Sequence, residues 1–134
     1  MFTHIAIDWG QKRSGLAFGN SQSGLIIPYL FDLETKELLQ ILEEQITQKK
    51  VEQIVIGLPT NFKLKPTLVT FQIQDFIKIL NKKFVALKIQ TINERNSSKT
   101  GKQILGTKAD KYNLNHQAAC QILQNYFEKN FAKN

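Results

Sequence analysis

Residues 4–19 read HIAIDWGQKRSGLAFG: an apolar run that ends on Asp8, a short basic turn, and a second apolar run. The pattern predicts a strand over Thr3–Asp8, a turn over Gly10–Ser14 and a second strand over Gly15–Gly19, so the stretch is a β-hairpin. An ionisable side chain is costly inside an apolar layer. The C-terminal end of a strand, however, is where a sheet opens to solvent and where open α/β sheets place their ligands. Asp8 fits that exit. Gly10 permits a close backbone approach or a positive φ, and Lys12 and Arg13 in the turn offer contacts to phosphate oxygens. The plainer role for Asp8 is a hydrogen bond to its own turn.

Working outward, Asn20–Gly24 is dense in turn residues and Leu25–Phe31 predicts a third strand, whose Pro28 assigns it to an edge or a bulge. Apolar residues at helical spacing predict a helix over Glu34–Lys49. The short continuous run in Val51–Gly57, with IVIG at its centre, suits a central strand covered on both faces. Leu58–Pro66 reads as a loop, Thr67–Asn81 as a helix with Phe71, Phe76, Ile77 and Leu80 inward, and Phe84–Ile92 as a strand. A basic irregular piece, Asn93–Lys111, precedes a helix from Leu114 to about Phe131 with the stripe Leu114, Ala118, Ala119, Ile122, Leu123, Tyr126 and Phe127. The order βββαβαβα predicts an α/β fold, a mixed sheet with helices packed on it.

The totals set bounds on function. A chain of 134 residues suits one domain with a substantial core, and no tract suggests a linker. Eighteen Lys and Arg against eleven Asp and Glu give a net charge of +7, which favours a polyanionic partner such as nucleic acid. Cys120 is the single cysteine and cannot close an intramolecular disulfide; no Cys and His cluster has zinc-site spacing. No apolar run reaches the ~18 residues of a membrane span and no leader pattern opens the chain. A soluble, cytoplasmic protein without a membrane partner is the expectation.

A second acid repeats the logic of Asp8. The strand closing on Ile92 is followed by Asn93, Glu94, Arg95, Asn96, Ser97 and Ser98. With both strands central and parallel, Asp8 and Glu94 converge at one end of the sheet, an arrangement suited to Mg²⁺ or Mn²⁺, since hard cations prefer carboxylate oxygen. An ordinary solvated loop is the alternative for Glu94.

Four stretches in this order, IAIDWGQKRSGLAFG, IVIGLPTN, NERNSS and KADKYNLNHQAACQILQNYF, resemble the YqgF family, also called RuvX, over nearly the whole chain. The resemblance implies a single RNase H-like domain over residues 1–134, built on a mixed five-stranded sheet. It also implies a metal-dependent nuclease with an acid on the first strand, an Asp-Glu-Arg at a later strand end and an Asp at the start of the last helix. These positions fall on Asp8, on Glu94 with Arg95, and on Asn115. The third acid is therefore a neutral amide here, and Asn93 likewise replaces the Asp of Asp-Glu-Arg. Trp9 stands inside the Asp-x-Gly, where it packs on the sheet or stacks on a base.

Two-metal hydrolysis uses carboxylates to neutralise the ions and hold them about 4 Å apart; Asn supplies an oxygen without charge. Asp110, five residues before Asn115, is the acid placed to compensate, unless it caps a turn or pairs with Lys108 or Lys111. Asn115 itself has helix N-capping as its alternative role. The expected metal ligands are thus Asp8, Glu94, Asn115 and Asp110. The expected substrate contacts are Lys12, Arg13, Arg95, Lys99, Lys102, Lys108 and Lys111, which hold phosphates and carry little sequence information.

By resemblance, processing of the 5′ end of pre-16S rRNA is favoured over cleavage of branched DNA by a Holliday junction resolvase, the latter requiring a homodimer where the former allows a monomer. A nucleic-acid-binding module that has lost catalysis through Asn115 is the competing class. An actin-like or sugar-kinase ATPase is disfavoured, because such enzymes clamp nucleotide between two lobes, each about the size of this chain.

Overall fold

The structure, a computed structural model, describes residues 2–10, 12–30, 32–58, 68–93 and 111–130, excepting the side chains of 69 and 111–117. The described elements run β1 (His4–Asp8), β2 (Gly15–Gly19), β3 (Ile26–Pro28), α1 (Thr35–Lys49), β4 (Gln53–Leu58), α2 (Leu68–Lys83), β5 (Lys88–Asn93) and α3 (Lys111–Asn130). This is the expected βββαβαβα order. The five strands form one sheet in the order β3-β2-β1-β4-β5. The hairpin pairs β1 with β2 antiparallel from His4↔Gly19 to Asp8↔Gly15, while β4 runs parallel to both β1 and β5. The sheet is therefore mixed, with β1 at its centre.

Two apolar layers cover it. Ile5, Ile7, Leu16, Phe18, Ile54 and Ile56 project to one face and meet Leu38 and Leu42 of α1 with Phe76 and Leu80 of α2. The alternate residues Ala6, Ala17, Val55 and Ile92 project to the other and meet Ala119, Ile122, Leu123, Tyr126 and Phe127 of α3. Period-two alternation explains the split. Each fully buried Leu or Ile contributes roughly 2 kcal/mol of apolar burial. The small residues on the α3 side let that helix approach closely: a Cβ on Gly19 would sit 3.0 Å from side-chain carbons of both Leu123 and Phe127.

Several boundaries differ from the sequence expectation. The third strand is only three residues, Ile26–Pro28, and it is an edge strand, as Pro28 requires. β5 lies at the other edge and β4 occupies the place between it and β1, so of β1 and β5, both expected to be central, only β1 is. Phe71, expected inward, is 56% exposed, because α2 buries Ile73, Phe76 and Leu80 while its outer face also carries apolar residues. The last helix begins at Lys111, three residues before the expected Leu114, since Lys111, Tyr112 and Asn113 continue the helix without adding an apolar periodic signal.

Candidate functional site

The site begins at the exit of β1. Ile7 pairs with Ile56 and Ile56 with Thr91, so one residue further Asp8 is level with Gly57 and Ile92. Two strand spacings, about 10 Å, separate the β1 and β5 exits. Burial pushes the Asp8 carboxyl from 3.8 up to about 6. Desolvation is the whole cause, and among the described residues no donor or cation faces this carboxylate to offset it. The expected self-capping hydrogen bond is thus not formed with described residues.

The turn after Asp8 is tightly built. The Gly10 N–H donates to Ser14 Oγ at 3.1 Å, and a Cβ on Gly10 would lie 2.4 Å from the Arg13 carbonyl oxygen, so only glycine fits. Ser14 and Leu33 exchange backbone hydrogen bonds of 2.8 and 2.9 Å, joining the turn to the segment before α1. Trp9 packs its ring on Phe76, with centroids 5.9 Å apart, against the α1–α2 core. Core packing is therefore its role in this structure. The Trp9 Nε1 is buried without a hydrogen-bond partner among the described residues.

The two basic residues of the turn behave differently. Lys12 is exposed and makes no ion pair with a described residue. Arg13, the other residue expected to contact phosphate, sends Nε to Asp32 Oδ1 and Nη1 to Glu34 Oε2, both at 3.1 Å, and stays half-exposed. Asp32 reaches it from a left-handed backbone, φ 62, and Glu34 is the N-cap of α1, its N–H donating to the Glu37 carboxylate at 3.0 Å. Neither acid announces itself in the sequence as a partner of Arg13, because the pairing spans about twenty positions and depends on the Ser14–Leu33 bridge. The bridge of Ser14 to Leu33 is hidden for the same reason, although Ser14 closes the predicted turn.

α3 is oriented by its C-terminal half. Tyr126 and Phe127 rings lie 5.6 and 5.2 Å from the His4 ring, and Tyr126 OH donates to Gln53 Oε1 at 3.1 Å. Those contacts fix residues 126 and 127 at the beginning of β1 and β4, so the N-terminal half of α3 extends toward the Asp8 end. Asn115 precedes Tyr126 by about 16 Å of helix, and Asp8 follows His4 by about 13 Å of strand. The backbone of Asn115 is thus at the Asp8 end, in the register position of Ala119, Ile122 and Tyr126. Because α3 starts at Lys111, Asn115 lies in the second helical turn, and the N-capping role is excluded by position.

Glu94, Arg95, Lys99, Lys102, Lys108 and Asp110 lie outside the described residues, as do the side chains of Lys111 and Asn115. Among the described residues no three His, Cys, Asp or Glu side chains form a metal cluster. A desolvated carboxylate with no partner among the described residues is the kind of donor a hard divalent cation satisfies, so Asp8 fits such a group. No described helix is long and apolar enough to cross a membrane.

Comparison with known proteins bears on this arrangement. Two structures of the fowlpox virus Holliday junction resolvase, one of them in complex with substrate junction DNA, superpose with TM-scores of 0.58 and 0.62. They cover 94% and 98% of this chain, and 98% and 100% of the resolvase, at 14% and 13% identity. The fold is RNase H-like, as expected. A protein of Chlorobium chlorochromatii named "Putative pre-16S rRNA nuclease" is 34% identical over 132 residues, 93% of this chain and 94% of its own. Proteins of the same name from Lawsonia intracellularis and Bacteroides thetaiotaomicron are 33% and 31% identical over 94% and 92% of the chain, which span 93% and 94% of those relatives. The model of the RuvX family, described as Holliday junction resolvase, matches residues 2–129. With that model covering residues 2–129 and relatives at 34% and 33% identity over more than nine tenths of the chain, this chain is a member of the RuvX family.

Proposed function

We propose that this chain is a divalent-metal-dependent nuclease that hydrolyses phosphodiester bonds in pre-16S rRNA, at its 5′ end. The whole of residues 1–134 acts as one domain. The observation that carries the reading is Asp8: a carboxyl desolvated at the exit of the central strand, held up to about 6, with no described cation beside it. A fold retains such a group against its desolvation cost where an external cation will satisfy it. Glu94 follows Ile92 by two positions in the sequence, and Ile92 shares its layer with Ala6 and so with the parity of Asp8.

Asp8 and Glu94 would hold Mg²⁺ or Mn²⁺, with Asn115 or Asp110 completing the set. The ion would supply an activated water and stabilise the leaving oxygen. Asn115 contributes an oxygen and no charge, which raises the barrier by roughly several kcal/mol relative to an acid there, unless Asp110 restores the charge. Lys12, Arg95, Lys99, Lys102, Lys108 and Lys111 would hold the phosphates. Arg13, half-exposed in its pairs with Asp32 and Glu34, would join them at the same turn.

A Holliday junction is the second substrate, favoured by the family's description and by the resolvase fold. Both substrates are tested in one experiment, incubation of pre-16S rRNA and a synthetic four-way junction with wild type, Asp8→Asn and Asn115→Asp in Mn²⁺. We expect rRNA cleavage by wild type, loss in Asp8→Asn and a rise in Asn115→Asp. Binding without cleavage in all three proteins would instead identify a nucleic-acid-binding module.

A further inference from the structure

α2 has two apolar faces. Ile73, Phe76 and Leu80 are buried. At about 100° per residue, Leu68, Phe71, Asp75, Lys78, Ile79 and Lys82 fall in one sector opposite to them. Leu68, Phe71 and Ile79 are 67%, 56% and 45% exposed, and Val85, just past the helix, is 83% exposed. Four of the five exposed large apolar side chains among the described residues thus belong to this helix and its following turn. Such clustering, rather than single exposed residues, marks interaction surface.

The C-terminal end of the stripe opens into a groove of about 560 Å³ lined by Lys78, Ile79, Asn81, Lys82 and Val85. Lys83 beside it is paired with Glu43 at 3.6 Å, but Lys78 and Lys82 have no ion-pair partner among the described residues. The groove therefore combines aliphatic surface with two cations that have no ion-pair partner among the described residues. It lies before the start of β5 at Lys88, at the opposite end of the sheet from the exit of β1 at Asp8.

We propose that this groove docks a segment of a partner protein in which acidic residues flank one or two aliphatic or aromatic anchors. The anchors would cover Ile79 and Val85, and the acids would pair with Lys78 and Lys82. Nucleic acid fits less well: phosphates gain nothing from aliphatic side chains, and base stacking needs aromatic or Arg faces that the lining lacks. A second copy fits less well too. The acids around α1, Asp32, Glu34, Glu37, Glu43 and Glu44, come with no exposed large apolar side chain among the described residues of that segment.

The test is selection of a random dodecapeptide display library on the wild-type chain, followed by anisotropy titration of the enriched peptides. Binding is compared on wild type, on Ile79→Ser with Val85→Ser, and on Lys78→Glu with Lys82→Glu, all surface changes whose folding is checked by circular dichroism. Enriched peptides should combine Asp or Glu with Leu, Ile, Phe or Trp, and each double variant should bind them about tenfold or more weakly. The proposal is overturned by no enrichment, by enriched peptides that bind both variants as wild type, or by affinity for a uridine oligonucleotide that falls with the Ile79 and Val85 changes as much as peptide affinity does. Concentration-dependent dimerisation lost in the same variants would assign the groove to a second copy and overturn it as well.

Discussion

Asp8 makes a stability claim as well as a chemical one. Its carboxyl titrates near 6 in the folded chain against 3.8 for an unperturbed Asp, so between those values the unfolded state ionises first. Folding stability is then highest below pH 3.8 with respect to this group and is lost as pH rises through about 6. A shift of that size corresponds to about 3 kcal/mol at neutral pH. Asp8→Asn should therefore stabilise the metal-free chain above pH 6 by up to that amount while removing cleavage, and urea denaturation at pH 4 and pH 7.5 measures it. Identical pH profiles for the two proteins would show that Asp8 is not desolvated. His4 works in the opposite sense. Burial holds its pKa below 6.5, so its contribution is intact above 6.5 and is lost as pH falls through the lower folded value. An NMR titration of the His4 ring should give a midpoint below 6.5.

At the scale of elements, two glycines set how close the parts of the site come. Gly10 has a backbone oxygen, that of Arg13, where a Cβ would go, and a backbone cannot yield as a side chain does. Gly10→Ala should open the turn after Asp8 and cost about 2 kcal/mol. Gly19→Ala meets only the ends of Leu123 and Phe127 at 3.0 Å, so α3 has to give by a few tenths of an ångström, and the loss should be smaller, about 1 kcal/mol. Chemical denaturation of the two variants ranks them, and equal costs would contradict the difference in packing. The Arg13 fork is exposed, so Asp32→Asn, which keeps a side chain suited to φ 62, should change stability by less than about 1 kcal/mol.

At the scale of the whole molecule, the +7 charge predicts that RNA affinity falls linearly with salt on logarithmic axes, and Lys12→Ala should lower the magnitude of that slope by about one. Filter binding across a salt series measures it, and an unchanged slope would remove Lys12 from the interface. Much of this architecture was written locally. Alternation fixed β1 and β2, the IVIG run identified the covered strand β4, Pro28 marked an edge, and the spacing of Ala119, Ile122, Leu123, Tyr126 and Phe127 marked the buried face of α3. These are properties of neighbouring residues, which a linear pattern carries. The sequence also located Asp8 at a strand end. Long-range geometry decided the rest: β5 at the edge instead of the centre, Phe71 on the outer face of α2, Arg13 held by Asp32 and Glu34, and Asn115 inside the second turn of α3 at the level of Asp8. Each of these depends on which segments become neighbours, and that is settled by burying two faces of one sheet at once.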